Sequence, residues 1–292
     1  MLMKDKTPKP YLICVDHTVS KKRFNLILDK KKELLITKPK PSKEELPGYY
    51  ESADYISHTD TKKGFVDKLY QIVKRYTLTK KVNLIDSLEL ENRTLLDIGA
   101  GTGDFLNKAK LRGWKVEGIE PNLKAQQKAI SKGIQIKTNY DQLVRNEFSV
   151  ITMWHVLEHV YDLEKQIEII EQYLNENGTL IVAVPNYKSF DALYYKNFWA
   201  AFDVPRHLWH FSKTSITQLF EPRGFVVHTI IPMYYDSFYV SLLSEKYRKG
   251  KFQILNAFRI GLLSNVKAKF LTKEYSSLIY VIKRAKNGNK RV

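Results

Sequence analysis

The chain of 292 residues is 43% hydrophobic, with 48 Lys/Arg against 31 Asp/Glu and a single cysteine. That length and apolar content suit one large domain with additions or two small ones, and the lone Cys14 excludes an internal disulfide framework and points to a reducing, cytoplasmic setting. The opening MLMKDKTPKPYLICV has no apolar signal region, and no run approaches the ~18 apolar residues of a spanning helix, so a soluble protein, at most peripheral to a membrane, is expected.

In chain order, the clusters YLICV, FNLIL and ELLIT are short, apolar and separated by Lys or Asp runs. They predict a small β-rich ribbon over 1–45. TKPKPSKEELPGYY follows, with its prolines and a Ser42-to-Glu45 capping-box spacing; it marks a linker with a helical turn at most, inside a linker and cap segment over 46–90. Phe65, Leu69, Ile72, Val73 and Tyr76 recur at helical spacing and predict an amphipathic helix. From 94 onward TLLDIG, KVEGIE, IQIK, FSVITMW and GTLIVAVP alternate with helical stretches. Continuous apolar strands in βα alternation predict an α/β domain over 91–292, a Rossmann-like, seven-stranded, mostly parallel sheet covered by helices on both faces. GFVVHTII and SSLIYVIKRA complete it as a hairpin at the sheet edge, separated by a helical insertion over 232–275 that suits a lid.

The stretch LLDIGAGTGDFL ends an apolar strand in Asp97 and then places Gly99, Gly101 and Gly103 before a helix. In open α/β sheets, ligands bind beyond the carboxyl ends of the strands, where such a turn brings bare backbone close. A dinucleotide GxGxxG motif would need glycine at 104, where this chain has Asp104. Glu120 ends the next strand in VEGIEPN, where a carboxylate can accept hydrogen bonds from both ribose hydroxyls of an adenosine.

LLDIGAGTGDFL, VEGIEPN, FSVITMWHVLEHV and GTLIVAVPN together resemble the class I S-adenosylmethionine-dependent methyltransferases, in order and spacing, over about residues 94–186. The resemblance implies that Asp97, Gly99, Ala100, Gly101 and Gly103 face the methionine part of S-adenosylmethionine. It also implies that Glu120 and Pro121 lie at the ribose, Asn139 or Asp141 beside the adenine, and Trp154 and His155 at the sulfonium. Several relatives, among them sugar C-methyltransferases, carry a small zinc-binding module before the catalytic domain. Here Asp29 and lysines stand where a Cys-x-x-Cys pair would be. One thiolate does not hold structural zinc, so a metal-free ribbon is expected and no metal site is assigned. His155 to His159, HVLEH, also matches a zinc-peptidase pattern, which requires both histidines on one long helix; here they follow directly on an apolar strand.

On the acceptor side, DALYYKNFWAAFDVPRHLWHFSKTS is rich in aromatics. It resembles the segment that carries a catalytic histidine in the sugar C-methyltransferases, and His207 falls on that position. Arg206 and Val204 stand where those enzymes have Glu and Tyr, which weakens a sugar substrate but leaves a histidine general base. The alternative is a loop histidine packed by Trp209. Arg206, His210, the Phe198–Trp199 pair, and Tyr55 and His58 in GYYESADYISH complete the expected acceptor side. The formal charge of +17 is placed in the flanks: residues 1–50 hold 12 Lys/Arg against 6 Asp/Glu, and 245–292 hold 13 against 2. Lys246, Arg248, Lys249, Lys251 and Arg259 alternate with Tyr247, Phe252, Ile254, Leu255 and Phe258, as a basic, amphipathic helix at a membrane surface would. Solvated faces are the ordinary alternative.

The expectation is a methyltransferase acting at C, O or N of a small-molecule or lipid-linked acceptor, with His207 as general base and peripheral contact with anionic membrane through 245–292. An RNA methyltransferase would explain the basic flanks, but no NPPY-like tetrad follows ITMW and no RNA module is recognisable, so a nucleic-acid partner is not expected. A non-catalytic cofactor-binding protein would keep the same glycine turn.

Overall fold

The structure, a computed structural model, describes residues 9–50 and 65–285, with the side chains of 65–72 excepted. Eleven strands occur among the described residues, in two sheets. The larger contains β4 (Thr94–Ile98), β5 (Lys115–Ile119), β6 (Gln135–Lys137), β7 (Phe148–Trp154), β8 (Leu174–Pro185), β10 (Phe225–Pro232) and β11 (Ser277–Arg284). Its order is β10-β11-β8-β7-β4-β5-β6. Pairing is parallel from β8 to β6, and β11 runs antiparallel to both β8 and β10. The last strand of the chain therefore sits inside the sheet, and β10 forms the edge.

Both faces of this sheet are covered, which is why β7 reads as an unbroken apolar run. On one face α4 (Leu163–Tyr173) and α6 (Lys213–Phe220) pack Ile167, Ile170, Ile216 and Phe220 against Ile151, Met153 and Val182. On the other, α1 (Phe65–Asp86), α2 (Asp104–Lys110) and α3 (Leu123–Ile130) bring Val82, Ile85, Phe105, Leu106 and Ala129 onto Leu95, Val150 and Ile181. The chain runs from β4 outward to β6 and then returns to place β7 on the other side of β4. Such a reversal marks the place, beyond the carboxyl ends of β4 and β7, where open α/β sheets take their ligands.

The N-terminal ribbon, β1 (Leu12–Val15), β2 (Arg23–Asp29) and β3 (Leu34–Lys38), is antiparallel and acquires a fourth strand from far along the chain, β9 (Trp209–His210). Ile36 faces Trp209 and Leu35 faces His210, so the ribbon is stitched to the acceptor-side segment. Cys14 is buried in its core and burial pushes the thiol up to about 12, a packing residue in keeping with a ribbon that has no thiolate ligands. In the linker, the Ser42 and Glu45 side chains each accept from the other's backbone N–H, at 3.3 and 2.9 Å, closing the capping box before a turn at Leu46–Tyr50.

After α5 (Phe190–Tyr195), the insertion consists of two helices, α7 (Asp236–Lys249) and α8 (Ile254–Lys267). The single amphipathic helix expected over Lys246 to Arg259 is broken: Gly250, at φ +71°, takes the left-handed conformation that ends α7. Tyr247 lies on the inner side of that break, stacked on His17 with ring centroids 4.5 Å apart.

Candidate active site

The glycine turn after β4 divides its labour. Gly99, Gly101 and Gly103 all have positive φ, at +74°, +53° and +72°. A Cβ on Gly99 would come within 2.4 Å of Val156, and one on Gly103 within 2.8 Å of Ala129. Among the described residues nothing lies within 4 Å of a Cβ on Gly101. The outer two glycines therefore let the turn pack, while Gly101 presents bare backbone. The N–H groups of Gly99 and Ala100 both donate to Ile119 O, at 2.7 and 3.0 Å. The Ala100 N–H is thus spent on shaping the turn. Glu120 is buried at the end of β5 and joins both loops: its Oε2 accepts from Gly101 N and its Oε1 from Asn122 N, each at 2.8 Å. Each carboxylate oxygen keeps a further lone pair, enough to receive two ribose hydroxyls. Pro121, Asn139 and Asp141 stand exposed on the same rim.

At the end of β4, Asp97 is buried and accepts from Thr152 Oγ1 on β7 at 2.6 Å. Burial pushes its carboxyl up to about 7, against the opposing effects of the Thr152 bond and the Lys81 charge. Lys81 comes from α1; burial depresses its pKa while Asp97 and Asp236 pull the other way. Its Nζ lies 4.4 Å from the centroid of the Trp154 ring. Trp154 packs edge-on to Phe105, and its buried Nε1 has no partner among the described residues. The indole face thus carries a cation whose charge is drawn on by the carboxylates of Asp97 and Asp236. Lys81, Thr152 and Asp236 were not foreseen, because no local spacing relates them to the glycine motif.

Next along β7, His155 has φ +56° and donates its backbone N–H to Ala183 O at 2.9 Å. Its ring bridges two carboxylates, with Nδ1 3.3 Å from Glu158 Oε1 and Nε2 3.2 Å from Asp236 Oδ2 of α7. Burial opposes its charge, but these carboxylates lift its pKa to about 9. His155 thereby pins the lid helix to the strand end. Glu158 is buried in a short turn, Leu157–His159. His155 and His159 therefore do not share a long helix, which removes the peptidase pattern.

His159 and His207 meet edge-to-face at 4.5 Å. His159 Nδ1 donates to Arg206 O at 3.1 Å, with the Tyr50 hydroxyl at the same distance. Burial, and then the neighbouring His207, depress its pKa to about 4. The buried His207 donates Nδ1–H to Ala201 O at 2.8 Å, which fixes the tautomer and leaves Nε2 with a lone pair. Glu158 Oε2 has no partner among the described residues. Ligand atoms of Glu158, His159 and His207 all lie within 4.8 Å of one another. The sequence assigned no metal site to HVLEH; the fold gathers Glu158 and His159 with His207, 48 residues away, and leaves His155 outside the group.

Other residues expected on the acceptor side have partners within the fold. The Arg206 guanidinium is buried in ion pairs with Asp203 (2.5 Å) and Asp16 (3.2 Å) and donates to Tyr49 O, tying the ribbon to the loop. His210 donates Nε2–H to Thr37 Oγ1 at 3.0 Å, and burial holds the ring neutral, far below its usual pKa. Thr37 spends its own proton on His207 O at 2.7 Å. Trp199 is in the core, its Nε1 donating to Asp191 at 2.7 Å, and Phe198 packs by His17. Tyr55 and His58 lie outside the described residues.

A glycine cradle at the switch point of a seven-stranded sheet, with an acid closing the neighbouring strand, defines a class I S-adenosylmethionine-dependent methyltransferase, and the bare backbone at Gly101 fits that cofactor. A methyltransferase domain family model matches residues 52–230, and the chain belongs to that family. It is 27% identical over 169 residues to the mitochondrial ubiquinone biosynthesis O-methyltransferase of Bos taurus, a match spanning 51% of this chain and 45% of that protein. The same fold occurs in the geranyl diphosphate C-methyltransferase of Streptomyces coelicolor A3(2), at 15% identity and a TM-score of 0.54 over 78% of this chain and 88% of that one. It occurs also in the magnesium protoporphyrin IX methyltransferase of Synechocystis PCC 6803, at 17% identity and a TM-score of 0.54 over 84% and 100%.

Proposed function

We propose that this methyltransferase acts on a small or lipid-linked acceptor that must lose a proton, with His207 as the general base. S-adenosylmethionine, when bound, supplies the electrophilic methyl group. The chain's own part is to hold that cofactor between Gly101, Glu120 and Trp154, to keep the carboxyls of Asp97 and Asp236 on the side of the sulfonium, whose charge is lost as the methyl leaves, and to take the acceptor's proton at His207 Nε2. The observation that carries this is the fixed His207 tautomer: Nδ1–H is committed to Ala201 O, so the basic nitrogen is Nε2. Glu158, in the same cluster, would stabilise the imidazolium that forms. In this reading the N-terminal ribbon, 1–45, serves as the wall that positions His207, through Thr37 and the Asp16–Arg206 pair.

Bulky apolar acceptors are supported by the relatives, one of ubiquinone biosynthesis and two acting on geranyl diphosphate and on magnesium protoporphyrin IX. No helix among the described residues is long and apolar enough to cross a membrane. A cytoplasmic enzyme touching the membrane at its periphery is the arrangement we propose. The test is cofactor consumption over quinones, phenols, nucleotide sugars and lipid extracts, run with wild type and His207→Gln. Turnover lost in the variant while cofactor affinity stays the same is expected; equal turnover would return His207 to a packing role.

A further inference from the structure

Helix α8 is built the wrong way round for a helix whose task is only to fold. Its inner face consists of Ala257, Ile260, Gly261 and Ser264, followed by Ala268, all buried. A Cβ on Gly261 would meet Phe238 of α7 at 2.8 Å, so the small residues let the two helices approach closely. Apart from Ile260, the large apolar side chains point outward. Leu255 is 89% exposed and Ile254 66%, and Phe258, Leu262 and Val266 continue the same stripe. The turn after α8 adds Leu271 and Phe270, 75% and 70% exposed, and the turn before it adds Phe252. Folding buries large side chains wherever a face permits, and contiguous exposed apolar patches of this kind mark contact surfaces. The surrounding charge is one-sided: residues 246–273 contain eight Lys/Arg and no Asp/Glu. Lys251 and Arg259 border the stripe at one end and Lys267, Lys269 and Lys273 at the other.

We propose that α8 and its flanking turns form an interfacial surface that lies on an anionic lipid bilayer, with Leu255, Phe258, Phe270 and Leu271 entering the headgroup and acyl boundary and the lysines and arginines meeting lipid phosphates. Apolar side chains ringed by cations, on a helix of 14 residues that is too short to cross a membrane, are the pattern of such surfaces. A second copy of this chain would bring the same unrelieved positive charge against itself, which argues against self-association. The surface rests on the proposed function only in bringing the enzyme to a lipid-linked acceptor. Docking stands or falls apart from catalysis.

The experiment is co-sedimentation of the full chain with vesicles of phosphatidylcholine containing phosphatidylglycerol, and with phosphatidylcholine alone, at low and high salt. Binding to the anionic vesicles at low salt is expected, weaker by on the order of tenfold or more without phosphatidylglycerol. Leu255→Ser with Leu271→Ser should weaken it by a similar factor at either salt concentration, and Lys249, Lys251, Arg259 and Lys269→Gln should remove mainly the salt-sensitive part. Calorimetric binding of S-adenosylhomocysteine, unchanged in both variants, establishes that they are folded and keeps this test separate from that of the cofactor site. The proposal is overturned if wild type ignores anionic vesicles at low salt, or if both variants bind them as wild type does. It is equally overturned if the face is used without lipid: a dimer by light scattering that Leu255→Ser with Leu271→Ser dissolves, or RNA binding lost with the four cations.

Discussion

Replacing Gly101 by alanine should separate cofactor binding from folding, and the neighbouring glycines supply the control. Gly101 has φ +53° and, among the described residues, nothing within 4 Å of the position a Cβ would take. The added methyl therefore meets no atom of the described residues, and the cost to the fold is the left-handed backbone alone, roughly 1–2 kcal/mol. In a chain of this size that is a fall in Tm of a few degrees. Gly99→Ala and Gly103→Ala bear the same backbone cost and must also push Val156 or Ala129 aside, from 2.4 and 2.8 Å. Overpacking of that kind adds about 1–3 kcal/mol. Thermal unfolding should thus rank Gly101→Ala as the mildest of the three. Calorimetry with S-adenosylhomocysteine should rank it among the most damaging, with affinity down on the order of tenfold or more, because the methyl occupies the space that the ligand needs. Wild-type affinity in Gly101→Ala would refute the cradle, and equal Tm losses at all three positions would refute the packing argument.

Glu120→Ala should weaken S-adenosylhomocysteine by about 1–3 kcal/mol, since it removes the ribose acceptor and strands the Gly101 and Asn122 N–H groups; calorimetry reads it, and NAD should remain a far poorer ligand of the wild type. The His155 charge, raised to about 9 in the fold from ~6.5 in the unfolded chain, contributes stability that is complete below that lower value and is lost as pH rises through about 9. Asp236→Asn should therefore cost more stability at pH 6 than at pH 10, on the order of 1 kcal/mol apart in urea unfolding, whereas a pH-independent cost would show that the pair is not ionic. For the histidine cluster, added zinc should inhibit turnover by occupying the His207 lone pair and chelators should leave it intact; turnover abolished by chelation would make Glu158, His159 and His207 a metal centre rather than a base.

The strands, the glycine turn and Glu120 were legible because each is a local pattern. An apolar run ending in an acid, glycines at alternate positions and an acid at the next strand end are set by neighbours within a few residues, where strand period and the need for positive φ act directly. The same local reading did not foresee that the side chains of Arg206, His210 and Trp199, whose types suit an acceptor site, are taken up by Asp16, Thr37 and Asp191. Those partners lie up to 190 residues away along the chain. Strand β9 is a further case: two residues of pattern are too few to read, and only the edge left open by β3 makes Trp209 and His210 a strand. Lys81 over Trp154, Asp236 on His155 and Glu158 between two histidines likewise depend on which helices cover which strand ends. Composition foretold the excess of cations near the C-terminus, but not that α8 would turn its small residues inward and its leucines and phenylalanines out; that was decided by the close approach of α7, which at Gly261 leaves no room for a side chain and buries Ile260 as the one large residue of that face.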